Sequence, residues 1–177
     1  MLTRRGFTFS GLSLLSLVAC GAKGAGPTAD DNLQPAVPGL ALDPAKVEPI
    51  TKLDAEWRAA LSPQAYNVLR EEGTEIAFTG RYWDEHRPGK YLCAGCGLLL
   101  FDAADKFDSG TGWPSFSKPY KPEFVRQVDD SSHGMLRSEG ECARGGGHLG
   151  HVFDDGPKPT GLRYCMNSVS LVFRPKA

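Results

Sequence analysis

The alternation of hydrophobic and polar positions predicts two short helices at the start of the folded region. Over 51–61, apolar residues recur at the spacing of one helix face. A second helix is expected to begin at Ser62, because serine caps free backbone N–H groups and Pro63 fits the first helical position. Glycine favours the left-handed conformation that ends many helices, so Gly73 is the expected end.

Beyond residue 73 the hydrophobic pattern breaks into short runs separated by turn residues, which is typical of strands. The expected strands cover 76–78, 82–83, 90–93, 98–101, 124–129, 133–139, 148–153 and 163–173. The chain of 177 residues contains 21 Gly and 13 Pro, and this abundance of turn formers also favours short strands over long helices. The expected fold class is mainly β, with helices first and mostly antiparallel strands after them.

The first segment of the chain predicts export from the cytoplasm. Arg4 and Arg5 precede an apolar run over 11–19, which is shorter than the roughly 20 residues that a membrane-spanning helix needs. This arrangement predicts an export signal over 1–19 that resembles a twin-arginine signal, and Cys20 follows it where a bacterial lipobox has its acylated cysteine. An ordinary signal peptide with an incidental Cys20 is the alternative.

The remainder divides into a tether and one domain. Residues 20–45 are rich in Gly, Ala and Pro and show no apolar period, which predicts a flexible tether. Residues 46–177 are long enough for one hydrophobic core. With a lipid on Cys20, the domain is expected in the periplasm or cell envelope, anchored to a membrane. Disulfides persist there, and thiols need a reductant delivered to them.

Charge and cysteine content narrow the classes of function. The chain has 20 Lys and Arg against 21 Asp and Glu, so it lacks the basic excess of a nucleic-acid-binding protein. Its five cysteines are an odd number and cannot all pair within the chain. At least one thiol is therefore available for other chemistry.

Cys93 and Cys96 form a C-x-x-C pair followed by glycine. This spacing suits either a metal knuckle, in which two thiolates bind one ion, or a redox pair that forms a disulfide. The apolar run after Cys96 predicts a strand instead of the helix that a thioredoxin-like site requires, which favours the knuckle. Tetrahedral zinc needs two further ligands, and Cys142 alone is a further candidate, so the metal set is incomplete.

Cys165 lies in the last apolar run with polar neighbours at alternate positions. Arg163 and Asn167 are two residues away on either side, so a strand places all three on one face, with Tyr164 and Met166 on the other. A cation on that face would lower the thiol pKa and favour a reactive thiolate. The alternative is an inert cysteine that fills a core position.

Two histidines and a tryptophan are further candidates. His148 and His151 could deliver protons as general acids, or they could be surface residues beside a glycine loop. Side chains three residues apart point to opposite faces of a strand, so joint metal binding by the two histidines would need a turn at Gly150. Trp113 lies on a glycine-flanked loop and could form either a wall for a small apolar substituent or part of the core.

Together these segments resemble the B-type methionine sulfoxide reductases, and the resemblance covers about 50–175. The matching segments are Gly73-Thr74-Glu75, Phe78-Thr79-Gly80, Cys93-x-x-Cys96, Ser109 to Phe116, Ser132-His133-Gly134-Met135, His148 to Phe153, Asp155-Gly156-Pro157 and Arg163 to Ser168. The resemblance implies two twisted antiparallel sheets with short N-terminal helices packed outside. It also implies reduction of the R epimer of methionine sulfoxide.

The resemblance further implies a role for each candidate residue. Cys165 is expected to attack the sulfoxide sulfur and become a sulfenic acid. His148 and His151 are expected to bind and protonate the sulfoxide oxygen. Asp155 and Arg163 are expected to support the polar network, and Asn167 to position the substrate. Trp113 is expected to hold the S-methyl group, with Phe153 as a further substrate-binding residue.

Two positions depart from the pattern of this family. Many members have a resolving cysteine where this chain has Thr111. The sulfenic acid must then be resolved by Cys93, Cys96 or Cys142, or by an external thiol from a thioredoxin-like protein or a small molecule. Zinc-bearing members have a second C-x-x-C pair, in which Gly145 here replaces the second cysteine. We therefore expect no required cofactor and no stoichiometric zinc.

The favoured hypothesis is a monomeric, thiol-dependent enzyme that repairs proteins or peptides bearing methionine R-sulfoxide in the cell envelope. One alternative is a non-catalytic, zinc-ribbon-like binding module that kept the fold. Another is a disulfide oxidoreductase that uses Cys93 and Cys96.

Overall fold

The computed structural model describes residues 45–130 and 137–176. Predictions for 1–44 and for 133–136 lie outside the described residues. The helices are α1 (Asp54–Ala60) and α2 (Pro63–Glu71). The strands are β1 (Gly89–Cys93), β2 (Leu99–Asp102), β3 (Lys106–Phe107), β4 (Ser115–Phe116), β5 (Val125–Asp130), β6 (Arg137–Cys142), β7 (His148–Phe153), β8 (Arg163–Met166) and β9 (Leu171–Pro175).

The second helix begins as its sequence predicts and ends one residue earlier than expected. The Ser62 hydroxyl accepts a hydrogen bond from the Ala65 N–H at 3.2 Å, with Pro63 in the first helical turn. The left-handed residue at the end is Glu72, with φ of 55°, instead of Gly73. The Gly73 N–H still closes the last turn by donating to the Asn67 carbonyl at 3.0 Å.

The strands form two antiparallel sheets, which confirms the mainly β class with short N-terminal helices. One sheet has three strands in the order β2-β1-β9, and the other has six in the order β3-β4-β8-β7-β6-β5. All pairings within both sheets are antiparallel. This order places β8 between β4 and β7, in the interior of the larger sheet.

Two of the expected strands are wrong, and a third is divided into two. Residues 76–78 and 82–83 lie in irregular and turn structure, where Phe78 has a positive φ of 64° and donates its N–H to the Gly112 carbonyl. The run 163–173 is divided between β8 and β9 by a 3₁₀ turn at Ser168–Ser170. Both halves are apolar because both are buried, so the hydrophobic pattern does not show that the chain changes sheets between them.

A cluster of aromatic side chains packs between the smaller sheet and β4 of the larger sheet. Phe101 of β2 stacks on Phe116 of β4, with ring centroids 4.3 Å apart. Tyr91 of β1 packs against Phe116 at 5.0 Å and against Phe173 of β9 at 4.9 Å. Each of these rings is at least nine-tenths buried. Because β4 is adjacent to β8, this core fixes the strand that carries Cys165.

Within the part of the chain that the structure describes, no helix has the length and apolar character needed to cross a bilayer.

Candidate active site

Cys165 lies at the centre of the larger sheet between two polar neighbours. It pairs in register with His151 of β7 on one side and with Ser115 of β4 on the other. Along β8, Tyr164 and Met166 are buried in the core, whereas Cys165 is partly exposed. The strand therefore presents the thiol on the face opposite the core, with a histidine and a serine beside it.

The environment of the Cys165 thiol disfavours its ionisation. Burial raises the pKa of Cys165, while the Arg163 guanidinium and the hydroxyl groups of Thr111 and Ser115 oppose that rise without reversing it. Thr111 Oγ1 lies 3.9 Å from Cys165 Sγ. Arg163 thus lowers the thiol pKa, as the sequence predicts, but burial has the larger effect and the net pKa is raised.

Arg163 has its charge balanced by an acidic partner. Its Nε and Nη2 atoms donate to the two carboxylate oxygens of Asp155 at 2.7 and 2.9 Å. The guanidinium also lies 4.3 Å from the centre of the Phe153 ring. This bidentate pair fixes Arg163 beside the thiol and weakens the field that it exerts there.

Removing the Arg163 charge is expected to slow alkylation of Cys165. In the wild type, the alkylation rate should reach half of its maximum at a pH above about 8.5, the ordinary thiol pKa, because burial disfavours the thiolate. In Arg163→Gln the midpoint should move further up, and the rate at pH 7 should fall severalfold. Mass-mapped iodoacetamide labelling across a pH series measures both. Arg126→Gln, which removes a surface cation paired with Glu141, should change neither. A wild-type midpoint below 8.5 would contradict this electrostatic balance.

His148 is oriented by a carboxylate that sequence reasoning did not identify. Its Nδ1 lies 2.6 Å from Oε1 of Glu139 on β6. Its Nε2 is buried and has no hydrogen-bond partner among the described residues. The His148 and His151 rings are in contact, with centroids 5.2 Å apart. The geometry therefore leaves one imidazole nitrogen of His148 available for a bound group.

The two histidines share one face because β7 is irregular. Gly150 adopts a φ of 153°, and the pairing of β6 with β7 shifts register between Gly140 and Glu141. β7 nevertheless continues through His148–Phe153. A bulge within the sheet, and not a turn at Gly150, thus lets side chains three residues apart meet.

Gly150 cannot be replaced by alanine without a large loss of stability. A Cβ there would lie 2.1 Å from the Cys165 carbonyl oxygen and 2.8 Å from Met166 Cα. The backbone clash and the unfavourable φ should together cost about 3 kcal/mol or more. Urea unfolding measures this, with Gly161→Ala as the control. Gly161 has a φ of 72° and open space around it, so its replacement should cost only about 1 kcal/mol. Equal losses of unfolding free energy in the two variants would contradict the close approach of the Cys165 carbonyl to Gly150.

Glu75 connects the loop of Trp113 to the strand end at Asn167. Its carboxylate accepts the Ser168 N–H at 2.5 Å and the Val169 N–H at 3.2 Å. Its own N–H donates to Asn167 Oδ1 at 3.0 Å, and its carbonyl accepts the Trp113 indole N–H at 3.1 Å. Glu75 is 6% exposed, so these bonds are largely shielded from water. The residues flanking the thiol are thereby held in a fixed relation.

The structure brings together several residues that the sequence analysis named, but two of the carboxylates that hold them in place were not predicted. Cys165, His151 and Arg163 are together, as are Asp155 and Phe153 beside Arg163. Glu139 was missed because its relation to the histidines depends on the β6–β7 register. Glu75 is present in a matched segment, but no pattern in the sequence shows its contacts.

Comparison with known proteins places this site in a family. A family model described as the SelR domain matches residues 61–175, which is more than half of the chain. The chain belongs to this SelR family. Curated relatives carry the name peptide methionine sulfoxide reductase MsrB. One from Thiobacillus denitrificans is 61% identical over 125 residues, covering 71% of this chain and 95% of the relative. One from Agrobacterium fabrum is 56% identical over 126 residues, covering 71% and 93%.

A third MsrB relative, from Cellvibrio japonicus, is 60% identical over 119 residues, covering 67% of this chain and 85% of its own length. The SelR match and these MsrB relatives show a B-type methionine sulfoxide reductase, which is an oxidoreductase. The matched region contains the whole site described above, from Glu75 to Asn167.

Two hairpin turns of the SelR domain have the same backbone structure and differ at one ligand position. In the β1–β2 turn, Cys93 N–H donates to the Leu98 carbonyl and Gly97 N–H donates to the Cys93 carbonyl. In the β6–β7 turn, Cys142 N–H likewise donates to the Gly147 carbonyl, and Gly146 N–H donates to the Cys142 carbonyl. Cys96 in the first turn therefore corresponds to Gly145 in the second. A strand, β2, follows Cys96 as expected, in place of the helix that a thioredoxin-like site requires.

The sulfur atoms of Cys93, Cys96 and Cys142 meet between these two turns, and we refer to them as the three-sulfur cluster. The three sulfurs lie within 4.8 Å of one another, and those of Cys96 and Cys142 are 3.4 Å apart. Hydrogen bonds from the Cys93 and Cys96 thiols hold the pKa of Cys142 well below its usual range. The same bonds to Cys142 raise the pKa of Cys96 to about 12. A metal ion could therefore bind to this cluster.

The three-sulfur cluster does not fit the four-ligand zinc site that the family resemblance implies. Zinc in closed structural sites takes four tetrahedral ligands. Across 45–130 and 137–176, no fourth Cys, His, Asp or Glu joins the three cysteines. A Cβ at Gly145 would lie 3.5 Å from Cys96 Sγ, so this position faces the cluster. Glycine places no side-chain donor there.

Proposed function

We propose that this chain reduces methionine R-sulfoxide in peptides and proteins, with Cys165 as the nucleophile. The Cys165 sulfur attacks the sulfoxide sulfur, and a sulfur–sulfur bond forms. The oxygen then passes from the substrate sulfur to the Cys165 sulfur as the original sulfur–oxygen bond and the new sulfur–sulfur bond break, so that the products are methionine and a Cys165 sulfenic acid. Two thiols then reduce the sulfenic acid, releasing water and one disulfide and restoring the Cys165 thiol. The thiols supply both electrons and both protons of the net reaction.

The observation that carries this proposal is a partly exposed thiol beside a pair of contacting histidines. A partly exposed thiol lies on a strand directly beside His151, and His151 contacts His148. The buried Nε2 of His148 faces no protein partner among the described residues. A sulfoxide oxygen needs a proton before it can leave its sulfur, and an imidazole can supply one near neutral pH.

The remaining residues are proposed to position the substrate. Trp113 is held by its indole N–H on the Glu75 carbonyl, which leaves its ring to contact the S-methyl group. Asn167, two residues after Cys165, is fixed through its Nδ2 atom, which donates to the Leu149 carbonyl at 3.1 Å. Phe153 lies next to Arg163 and contributes an apolar surface for the methionine side chain.

The two sulfoxide epimers test the proposed reaction. Purified protein is given peptide methionine R-sulfoxide or S-sulfoxide with dithiothreitol, and methionine is measured by chromatography. We expect turnover of the R epimer and none of the S epimer above background. Turnover of S alone, or of neither, would contradict the proposed function.

The sulfenic acid is proposed to be resolved by an external thiol. The hydroxyl of Thr111, not a thiol, lies next to Cys165 Sγ, and the other three described cysteines are buried in the three-sulfur cluster. Cys165 alone is therefore expected to support turnover with dithiothreitol. Mass mapping after one turnover without added thiol should show no Cys165 disulfide. A disulfide from Cys165 to Cys93, Cys96 or Cys142 would identify an internal resolving residue instead.

We further propose that the domain over 46–177 acts in the cell envelope as a monomer, tethered through 20–45 to a lipid on Cys20 after removal of 1–19. The support is the arginine pair, the short apolar run and the lipobox-like cysteine. Its physiological reductant would be a thioredoxin-like protein or a small thiol. Fractionation of cells that express the wild type and Cys20→Ala tests the anchor. Equal membrane association of the two would contradict it.

A further inference from the structure

The three-sulfur cluster is a set of donors that the proposed reductase reaction does not use. Cys93, Cys96 and Cys142 are 3%, 6% and 0% exposed. Their thiols come from two backbone turns that point the sulfur atoms at one another, with the closest pair 3.4 Å apart. Three soft donors gathered in one buried place are suited to an ion that prefers sulfur and accepts a low number of ligands.

Among the residues that the structure describes, the surroundings of the cluster do not supply a fourth ligand. Trp57 of α1 covers the turns, because a Cβ at Gly95 or Gly145 would lie 3.6 or 3.9 Å from its ring. A cavity of about 10 Å³ lies beside the cluster and is lined by Trp57, Leu61, Leu69, Arg70, Cys93, Gly95, Gly145 and Gly147. Its one charged side chain, Arg70, already donates to the carbonyls of Gly145 and Gly146. A water molecule needs about 10–15 Å³ and two to four polar partners. Water is therefore a poor candidate for the fourth ligand of zinc.

We propose that the three-sulfur cluster binds one monovalent copper ion, Cu(I). Cu(I) binds soft thiolate sulfur strongly and is satisfied by two or three ligands, whereas Zn(II) in a closed site takes four. Magnesium and calcium take oxygen ligands, which the cluster lacks. Each thiol that becomes a copper ligand releases its proton to solvent, and the copper remains Cu(I). No electron transfer is involved.

Anaerobic competition with a chromogenic Cu(I) chelator such as bicinchoninate tests this proposal. The reduced full chain carrying Cys20→Ser is used, so that an unacylated Cys20 thiol does not compete. We expect one Cu(I) per chain, retained when Cys165→Ser is added. Adding Cys96→Ser or Cys93→Ser should weaken binding at least tenfold. Each of these two variants is made on its own. Circular dichroism establishes that a variant is folded before its Cu(I) affinity is compared with that of the Cys20→Ser parent.

The second part of the test measures zinc binding by a matched variant. Gly145→Cys restores a fourth thiol at the position that corresponds to Cys96, and it should retain one Zn(II) against a chelator that strips the wild type. Wild-type protein that retains one Zn(II) as tightly as Gly145→Cys would overturn the proposal. Failure of the wild type to bind Cu(I), loss of Cu(I) in Cys165→Ser, or full retention in a folded Cys96→Ser variant would also overturn it.

Discussion

Replacing Cys165 by serine is expected to lower kcat/KM for the R-sulfoxide by about 10⁴-fold or more. Serine preserves the shape of the side chain, but its hydroxyl is a far weaker nucleophile and forms no sulfenic acid. The half-buried position between His151 and Ser115 leaves no other described cysteine near the substrate. Methionine release with dithiothreitol as reductant measures the effect.

The control for this variant is the same substitution at a cysteine outside the site. A folded Cys96→Ser protein should keep kcat/KM within about threefold of the wild type, because its sulfur belongs to the three-sulfur cluster. If Cys165→Ser kept more than a few per cent of wild-type activity, or if Cys96→Ser lost as much as Cys165→Ser, the nucleophile would be misassigned.

Replacing His148 by glutamine is expected to lower kcat by about 10² to 10³-fold, with a smaller change in KM. A positioned proton donor contributes rate enhancement of this order, and the largest effect should fall on the chemical step. Glu139→Gln, which weakens the bond that orients His148, should cost about 10- to 100-fold. Because both act through one imidazole, the double variant should be little worse than His148→Gln alone.

Glu141→Gln is the matched control for Glu139. Both glutamates lie on β6, but Glu141 pairs with Arg126 at the surface at 2.8 Å. Its replacement should leave kcat and KM within about twofold of wild type. Additive losses in the His148→Gln, Glu139→Gln double variant would show that Glu139 does not act through His148.

The fold could be predicted where local pattern and burial agree. The start of α2 follows from Ser62 and Pro63, and β7 has the bounds of the short run expected over 148–153. The strands β3 and β4 contain two residues each, too few to produce a pattern. The region around Phe78 is apolar but exposed, so hydrophobicity there did not indicate a strand.

The chemistry of the site was predictable only in part because it depends on distances between strands. The identity of Cys165 as the exposed thiol among polar residues followed from alternation along one strand. The net rise in its pKa did not, because burial depends on neighbouring strands and the charge of Arg163 is offset by Asp155. The contact of Glu139 with His148 likewise arises from the register of β6 and β7.

The most direct test of the central claim is a single turnover in the absence of reducing thiols. One equivalent of a peptide R-sulfoxide is mixed with reduced protein, dimedone traps any sulfenic acid, and the peptides are analysed by mass spectrometry. The account predicts one methionine formed per chain and a dimedone adduct on the peptide that contains Cys165. Methionine formed with Cys165 unmodified, or with the adduct on Cys93, Cys96 or Cys142, would contradict it.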